Sequence, residues 1–251
     1  NCVVNCASNS VGFSFGDGLD ARSVLMGVTV MRGAGSSGAA LSIANASPTI
    51  RDCIFKENKA YYGGAVYVSG GAPRFIHCVL QNNQALQYGG GVYAYGANGL
   101  RMDGCDIAGN TASYSGGGLF LAVSKAQIED TRLAGNRTLE YGAHGAGAFL
   151  NSVSGQLARC VMEANVCAGD GAGLYLCNGS PELRECRWTE NEAAGGGGAL
   201  YLSSAHPAVT GCIFEDNLCG GGGGGAGLYS SSPSLKNCVI RNNQSAAAGG
   251  G

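Results

Sequence analysis

Acidic and basic side chains gather on one stretch of this chain: Asp103, Asp106, Glu129, Asp130 and Arg132, followed by Arg159, Arg184, Glu185 and Arg187. Carboxylates beside a basic group are what cleavage of a polysaccharide needs. They can hold Ca²⁺ and abstract a proton, or work as a general acid and base. The same residues also make an ordinary solvated face, because charges of alternating sign on neighbouring strands pair for solubility and modest stability. The solvated face is the reading expected here. A catalytic role for Asp103, Asp106, Glu129, Asp130 and Arg132 is the alternative.

A second set is aromatic. Tyr67, Tyr93, Phe120, Phe149, Tyr175, Tyr201 and Tyr229 occur once in each of seven consecutive repeats, next to aliphatic residues. If the aliphatic neighbours face inward, strand alternation turns the rings outward. An exposed stripe of that length exceeds the apolar patch a lone soluble protein usually shows. One reading is a ladder that stabilises its sheet by stacking. The other is a contact surface for another protein chain, a second copy of this one, or the flat faces of sugar rings.

Twelve cysteines raise disulfide, metal and redox chemistry. Eight of them fall in one repeating slot, stacked about 4.8 Å apart with parallel Cβ vectors, a poor match to the Cβ separation of about 3.8 Å that a disulfide prefers. They are expected to be small buried hydrophobes. Cys167 and Cys219 share another inward column with Ala193 between them, too far apart to bridge, which leaves Cys6 and Cys177 as reactive or paired thiols. There is no C-x-x-C pair, and His77, His144 and His206 lie in unrelated columns, so neither a metal nor a cofactor is expected.

The elements that position these side chains follow from a repeat. Asn58, Asn83, Asn110, Asn136, Asn165, Asn191, Asn217 and Asn243 recur at spacings of 25 to 29 residues, each five residues after the cysteine slot. A fixed period of that length marks a solenoid, whose units stack because none buries its apolar face alone. Two residues after the slot lies an apolar column that includes Phe55, Leu80, Ile107 and Trp188. Another, including Ile50, Phe75, Met102 and Leu183, lies three residues before it. The step of two keeps a face along a strand, and the step of three implies a bend. After the asparagine come a loop, a Gly-Gly or Gly-Ala pair and a further strand such as Leu174-Tyr175-Leu176. All five prolines stand five residues before the slot, where a missing N–H suits a turn. The expected fold is all-β: a right-handed parallel β-helix of about ten coils of about 26 residues, with three short strands per coil. The asparagine column is expected to be a buried hydrogen-bonded ladder at a turn, Asn tolerating the left-handed backbone such a bend needs. Coil 5 departs from the pattern, with Thr131 in the cysteine slot and a longer loop carrying Glu140, Tyr141 and His144.

Gly63-Gly64-Ala65-Val66 with Phe55-Lys56-Glu57-Asn58, and Gly197-Gly198-Ala199-Leu200 with Phe214-Glu215-Asp216-Asn217, resemble the GGA(I/L/V) and FxxN repeats of chlamydial polymorphic outer membrane protein passenger domains and related surface β-helix proteins. The resemblance covers about residues 25 to 251. It implies the β-helix fold and a surface or extracellular setting, in a group that includes adhesins and surface layers and grades into polysaccharide lyases.

Fifteen Lys and Arg against 17 Asp and Glu, without a basic run, argue against nucleic acid as a partner. No stretch is apolar for the roughly 18 to 20 residues that a membrane-crossing helix needs. The repeat runs end to end as one domain, 1–251, expected to be a piece of a longer chain because it lacks an initiator Met and stops inside an unfinished repeat. Of four sequons, Asn136 and Asn243 fall on the inward ladder. Asn45 and Asn178 share an outer loop column and are the expected glycosylation sites. The overall expectation is a non-enzymatic extracellular or cell-surface rod that presents the aromatic ridge to partners.

Overall fold

A computed structural model describes residues 2–8, 10–247 and 249–250; Asn1 and Gly251, the bounds of the expected domain, lie outside the described residues. Within these, the chain winds as a parallel β-solenoid with four sheets of ten, nine, nine and nine strands and no helix. Each coil visits the sheets in one order. Sheet 1 holds the residues after the cysteine slot, as in Ile54–Lys56 and Asp106–Ala108. Sheet 2 follows the asparagine, as in Gln84–Ala85. Sheet 3 holds the aromatic column, as in Val66–Ser69 and Leu119–Ala122. Sheet 4 leads back to the next cysteine, as in Arg74–Ile76 and Lys125–Glu129.

Three strands per coil were expected and four are present. The additional strand of sheet 2 is only two residues long in most coils, too short to show an alternating pattern in sequence. It exists because the asparagine ladder holds the chain just before it in register with the coils on either side. Val30, Phe55, Leu80, Ile107, Leu133, Met162, Trp188 and Phe214 from sheet 1 meet Ile50, Phe75, Met102, Ile128, Leu157, Leu183 and Val209 from sheet 4 and the aliphatic pairs of sheet 3 in one continuous core.

Four corners close each coil, and each is turned by residues in the left-handed region. One stands just before the asparagine, as Glu57 (φ 56°) and Asp216 (φ 57°) do; another precedes the strand of sheet 3, as Gly63 (φ 60°) does. A third follows that strand, as Asn45 (φ 49°) and Asn178 (φ 53°) do, and the fourth precedes the cysteine, as Asp52 (φ 54°) and Arg159 (φ 52°) do. The asparagine of the ladder is therefore not itself the left-handed residue. The bend falls one position earlier, which leaves the amide free to point inward. Glycine is required before sheet 3: a Cβ on Gly63 would lie 2.2 Å from the Val66 carbonyl oxygen.

The ladder asparagines are buried and bonded without a break. Asn110 Oδ1 accepts from the Asn83 backbone N–H (3.0 Å) and from Asn83 Nδ2 (2.9 Å). Its own Nδ2 donates to the Leu80 carbonyl (2.9 Å) and to Asn136 Oδ1 (3.1 Å). Two such bonds, from the backbone N–H and from Nδ2 to the Oδ1 of the next asparagine, tie each neighbouring pair from Asn58 to Asn243. The thiols do comparable work at the corner between sheets 4 and 1. Cys53 Sγ lies 3.2 Å from the Arg51 carbonyl and 3.5 Å from that of Leu25 in the preceding coil, and Cys160 and Cys186 repeat this geometry. Thr131 fills the slot because its hydroxyl makes the same bond, donating to the Glu129 carbonyl at 2.8 Å and accepting from the Cys105 N–H at 3.4 Å.

Two stability outcomes follow from these contacts. Asn110→Ala leaves the buried Asn83 backbone N–H without its partner and takes one bond each from Asn83 Nδ2, the Leu80 carbonyl and Asn136 Oδ1. With an unpaired buried group costing about 1–3 kcal/mol, the variant should lose roughly 3 kcal/mol in urea unfolding while Lys59→Ala changes little. Thr131→Cys should be tolerated to within about 1 kcal/mol, whereas Thr131→Val, which has the shape but no donor, should cost more. A ranking with Val better than Cys would remove the thiol and hydroxyl from the list of corner bonds.

Candidate functional site

The carboxylate and arginine cluster divides between two sheets. On sheet 1, Arg132 is held between Asp106 (2.9 Å) and Glu163 (2.6 Å) from the coils on either side. At the corner before it, Arg159 grips both oxygens of Asp130 at 2.8 Å and Glu129 at 2.9 Å. Asp130 and Arg159 are left-handed corner residues of adjacent coils, so this ion pair ties one bend to the next. Asp103 stands beside Glu129 in register on sheet 4, in no ion pair among the described residues. Hydrogen bonds from Arg159 hold the Asp130 carboxyl below the usual carboxylate range, the opposite of what a general acid needs. Arg187 and Arg241 both close on the nearly buried Glu215 in the same manner. Among the described residues no group of three or more His, Cys, Asp or Glu is arranged to hold a metal ion.

The aromatic column forms a stacked ladder of six rings. Tyr67, Tyr93, Phe120, Phe149, Tyr175 and Tyr201 face outward on sheet 3, half-buried, with centroids 5.0–5.4 Å apart and planes within 11° of parallel. Their faces are covered by one another and their edges point to solvent. Tyr229 does not continue the ladder. Tyr201 pairs in register with Gly227, and Tyr229 pairs with Ser203, two residues further along the strand. Left-handed Gly197 stands three residues before Leu200, as Gly223 stands three before Ala226, and this spacing sets the register through the glycine run.

A second rank of rings flanks the first. Tyr62 and Tyr88, each just before the left-handed glycine, stack on one another and tilt against Tyr93 and Phe120. Their signal in sequence is a tyrosine directly before Gly-Gly, with no alternating pattern to draw attention to it; Tyr62 ends the strand Lys59–Tyr62 of sheet 2 and Tyr88 lies in a loop. The loop of coil 5 places His144 in the same rank, stacked on Tyr175 at 4.6 Å with its Nδ1 accepting from the Asp170 N–H at 3.1 Å. Burial lowers the His144 pKa, so the ring is neutral near pH 7. Tyr141, at the loop tip, is fully exposed. Where the ladder ends, Tyr201 lies over Gly227 beside a shallow groove of about 530 Å³ shared with Asp170, Gly196 and Gly222.

All twelve cysteines are unpaired. Cys6 and Cys177, considered as reactive or paired thiols, are both buried, and burial pushes the Cys177 pKa up to about 11, away from thiolate chemistry. Cys167 and Cys219 sit in a small satellite core with Ala146, Ala172 and Ala193. Asn45 and Asn178 are exposed at corners, while Asn136 and Asn243 are buried in the ladder.

With this geometry in place, comparison with family profiles matches the chain over residues 28–157 and 124–250 to the family described as the right handed beta helix region. Comparison with curated proteins returns no match.

The Arg159 pair carries a pH signature. Because the folded pKa of Asp130 lies below its ordinary value of 3.8, the contribution is present above that value and is lost as pH falls through the depressed one. Both side chains are well exposed, so the effect is small. The gap in unfolding midpoint between the native chain and Arg159→Gln should therefore be measurable at about pH 6 and close at about pH 2; a gap unchanged at low pH would assign Arg159 to packing instead.

Proposed function

The chain belongs to the right-handed β-helix family, and on that premise we propose that it is a non-enzymatic extracellular or cell-surface rod whose sheet 3 docks another protein chain or a second copy of itself. The observation that carries the reading is the six-ring ladder, backed by a second rank of tyrosines, on a scaffold tied coil to coil by buried amides. Aromatic anchors held rigid at the centre of a patch supply most of the energy of a typical contact, and here the stacking fixes them before any partner arrives. The stacking also argues for what kind of partner. Ring faces are occupied by neighbouring rings, so edges and tyrosine hydroxyls do the binding, which suits a protein surface. A sugar needs an open face, and the ladder leaves one free of another ring only at its ends, as at Tyr201 above the glycine floor. In a eukaryotic secretory setting Asn45 and Asn178 are the sequons positioned to carry glycan.

The polysaccharide-cleaving alternative has less support. Its five residues are spread over two sheets, and Asp106, Glu129, Asp130 and Arg132 already neutralise one another or a neighbouring coil.

Sedimentation of the native chain against Phe120→Leu with Phe149→Leu tests the contact surface, leucine being chosen to keep the apolar cover over the sheet. The double variant should melt as one folded species and associate, with itself or with a captured partner chain, at least about tenfold more weakly, the loss of about 1.4 kcal/mol being within reach of two anchors. Undiminished association would remove the ladder as an interface. Turnover of uronic-acid polymers that disappears in Asp106→Asn or Arg132→Gln would replace this reading with the enzymatic one.

A further inference from the structure

Sheet 4 carries a feature unrelated to the aromatic ridge. Eleven arginines are present, and eight of them, Arg22, Arg32, Arg51, Arg132, Arg159, Arg184, Arg187 and Arg241, form ion pairs with carboxylates. Among the described residues Arg74 and Arg101 have no such partner, and they are direct register neighbours on adjacent coils. Lys125 stands on the next coil, two residues before Gln127, which is itself the register neighbour of Arg101. Like charges placed side by side on one face of a sheet repel, and of the other arginines all but Arg137 have a carboxylate within ion-pair distance.

The backbone opens a hollow at the same place. The register between Asn98–Asp103 and Lys125–Glu129 slips between Asn98 and Leu100, leaving Gly99 as an extra residue at φ 134°. A Cβ on Gly99 would approach that of Ala72 to 3.0 Å, so the bulge works with a residue that adds no side chain to the floor. The result is a depression of about 300 Å³ lined by Ala72, Gly99, Arg74, Arg101, Lys125, Asn98 and Gln127. Three cations and two amides line it, and no carboxylate does. Asp103 and Glu129 line a smaller adjoining hollow that shares Arg101 and Gln127. Bulges of this kind recur where a sheet re-aims side chains toward a site.

We propose that this hollow binds the carboxylate or sulfate group of an acidic sugar unit. Two guanidinium forks match the oxygens of such a group, and the Lys125 ammonium adds a point charge. Asn98 and Gln127 each offer a donor and an acceptor to ring hydroxyls. The size lies at the low end of the roughly 300–1,000 Å³ of small-ligand sites, which fits one unit of a chain that lies across the sheet. No ring lines this hollow to stack a base, and three cations are few for a nucleic-acid track, so a sugar acid fits better than a polynucleotide.

Titration calorimetry of the full chain tests the site with three probes: a heparin-derived tetrasaccharide for sulfate, a tetragalacturonate for carboxylate, and maltotetraose as the neutral control. Saturable binding of at least one acidic probe, absent for maltotetraose, is expected. Arg101→Gln should weaken it by about tenfold or more. Arg101→Lys should fall between, because the charge is kept and the fork is lost. Arg137→Gln removes the same charge from an arginine on sheet 2 that also lacks an ion pair, and should leave affinity within about twofold. Thermal melting of each variant confirms that it is folded. Failure of both acidic probes to bind would overturn the proposal, as would equal losses in Arg101→Gln and Arg137→Gln, which would mean diffuse attraction and no built site. Binding of only one acidic probe supports it and assigns the anion.

Discussion

A coil of this solenoid can close only by turning four corners in left-handed backbone, and each corner brings polar groups to the edge of an apolar core. The asparagine amides satisfy them at the corner before sheet 2, and the thiols or Thr131 hydroxyl at the corner before sheet 1. Each ladder amide bonds the coil before and the coil after, so no coil is satisfied alone. A buried polar column of this kind is costly if one member is missing and rigidifying when all are present. The parallel sheets, the single register of the core and the straight stacking of outward columns all depend on it.

Stacking in register has a consequence for the surface. Whatever residue type occupies an outward slot meets its counterpart in the next coil at about 4.8 Å. Aromatic side chains in such a slot form a π-stacked ladder. Charged ones form an ion pair where opposite signs meet, as Asp106 does with its register neighbour Arg132, which also reaches diagonally to Glu163, two residues past its own register neighbour Val161. Where signs do not alternate, as at Arg74 and Arg101, the charge is left unopposed. The three faces therefore differ in what they offer: sheet 1 is self-neutralised, sheet 3 presents ring edges, and sheet 4 holds free cations above a bulge.

The thiols illustrate how composition can mislead. Twelve cysteines invite redox or metal chemistry, yet seven, from Cys53 to Cys238, sit at one corner with sulfur 3.2–3.6 Å from two carbonyl oxygens. A thiol is small enough for the bend, apolar enough for the core and still a weak donor. Thr131 keeps the donor and loses the sulfur, which places the value of the slot in the bond and not in reactivity.

The part of the molecule legible in residue order alone is the part that repeats. Asn58 through Asn243, the cysteine slot and the apolar columns on either side are periodic, and in a parallel stack a period in sequence is a column in space. The inward facing of Phe55, Trp188 and the ladder amides, and the outward facing of Tyr67 through Tyr201, follow from that alone. Tertiary structure decided what lies between periods. Two-residue strands such as Gln84–Ala85 have no pattern of their own and exist only against their neighbours. Tyr229 leaves the ladder because register through Gly220–Gly225 is set by a left-handed glycine that looks like every other glycine in sequence. The partners of Arg132 and Arg159, 26 to 31 residues away, and the unopposed charge of Arg74 and Arg101 depend on which coil lies above which. That is a property of closure, which no local stretch of the chain encodes.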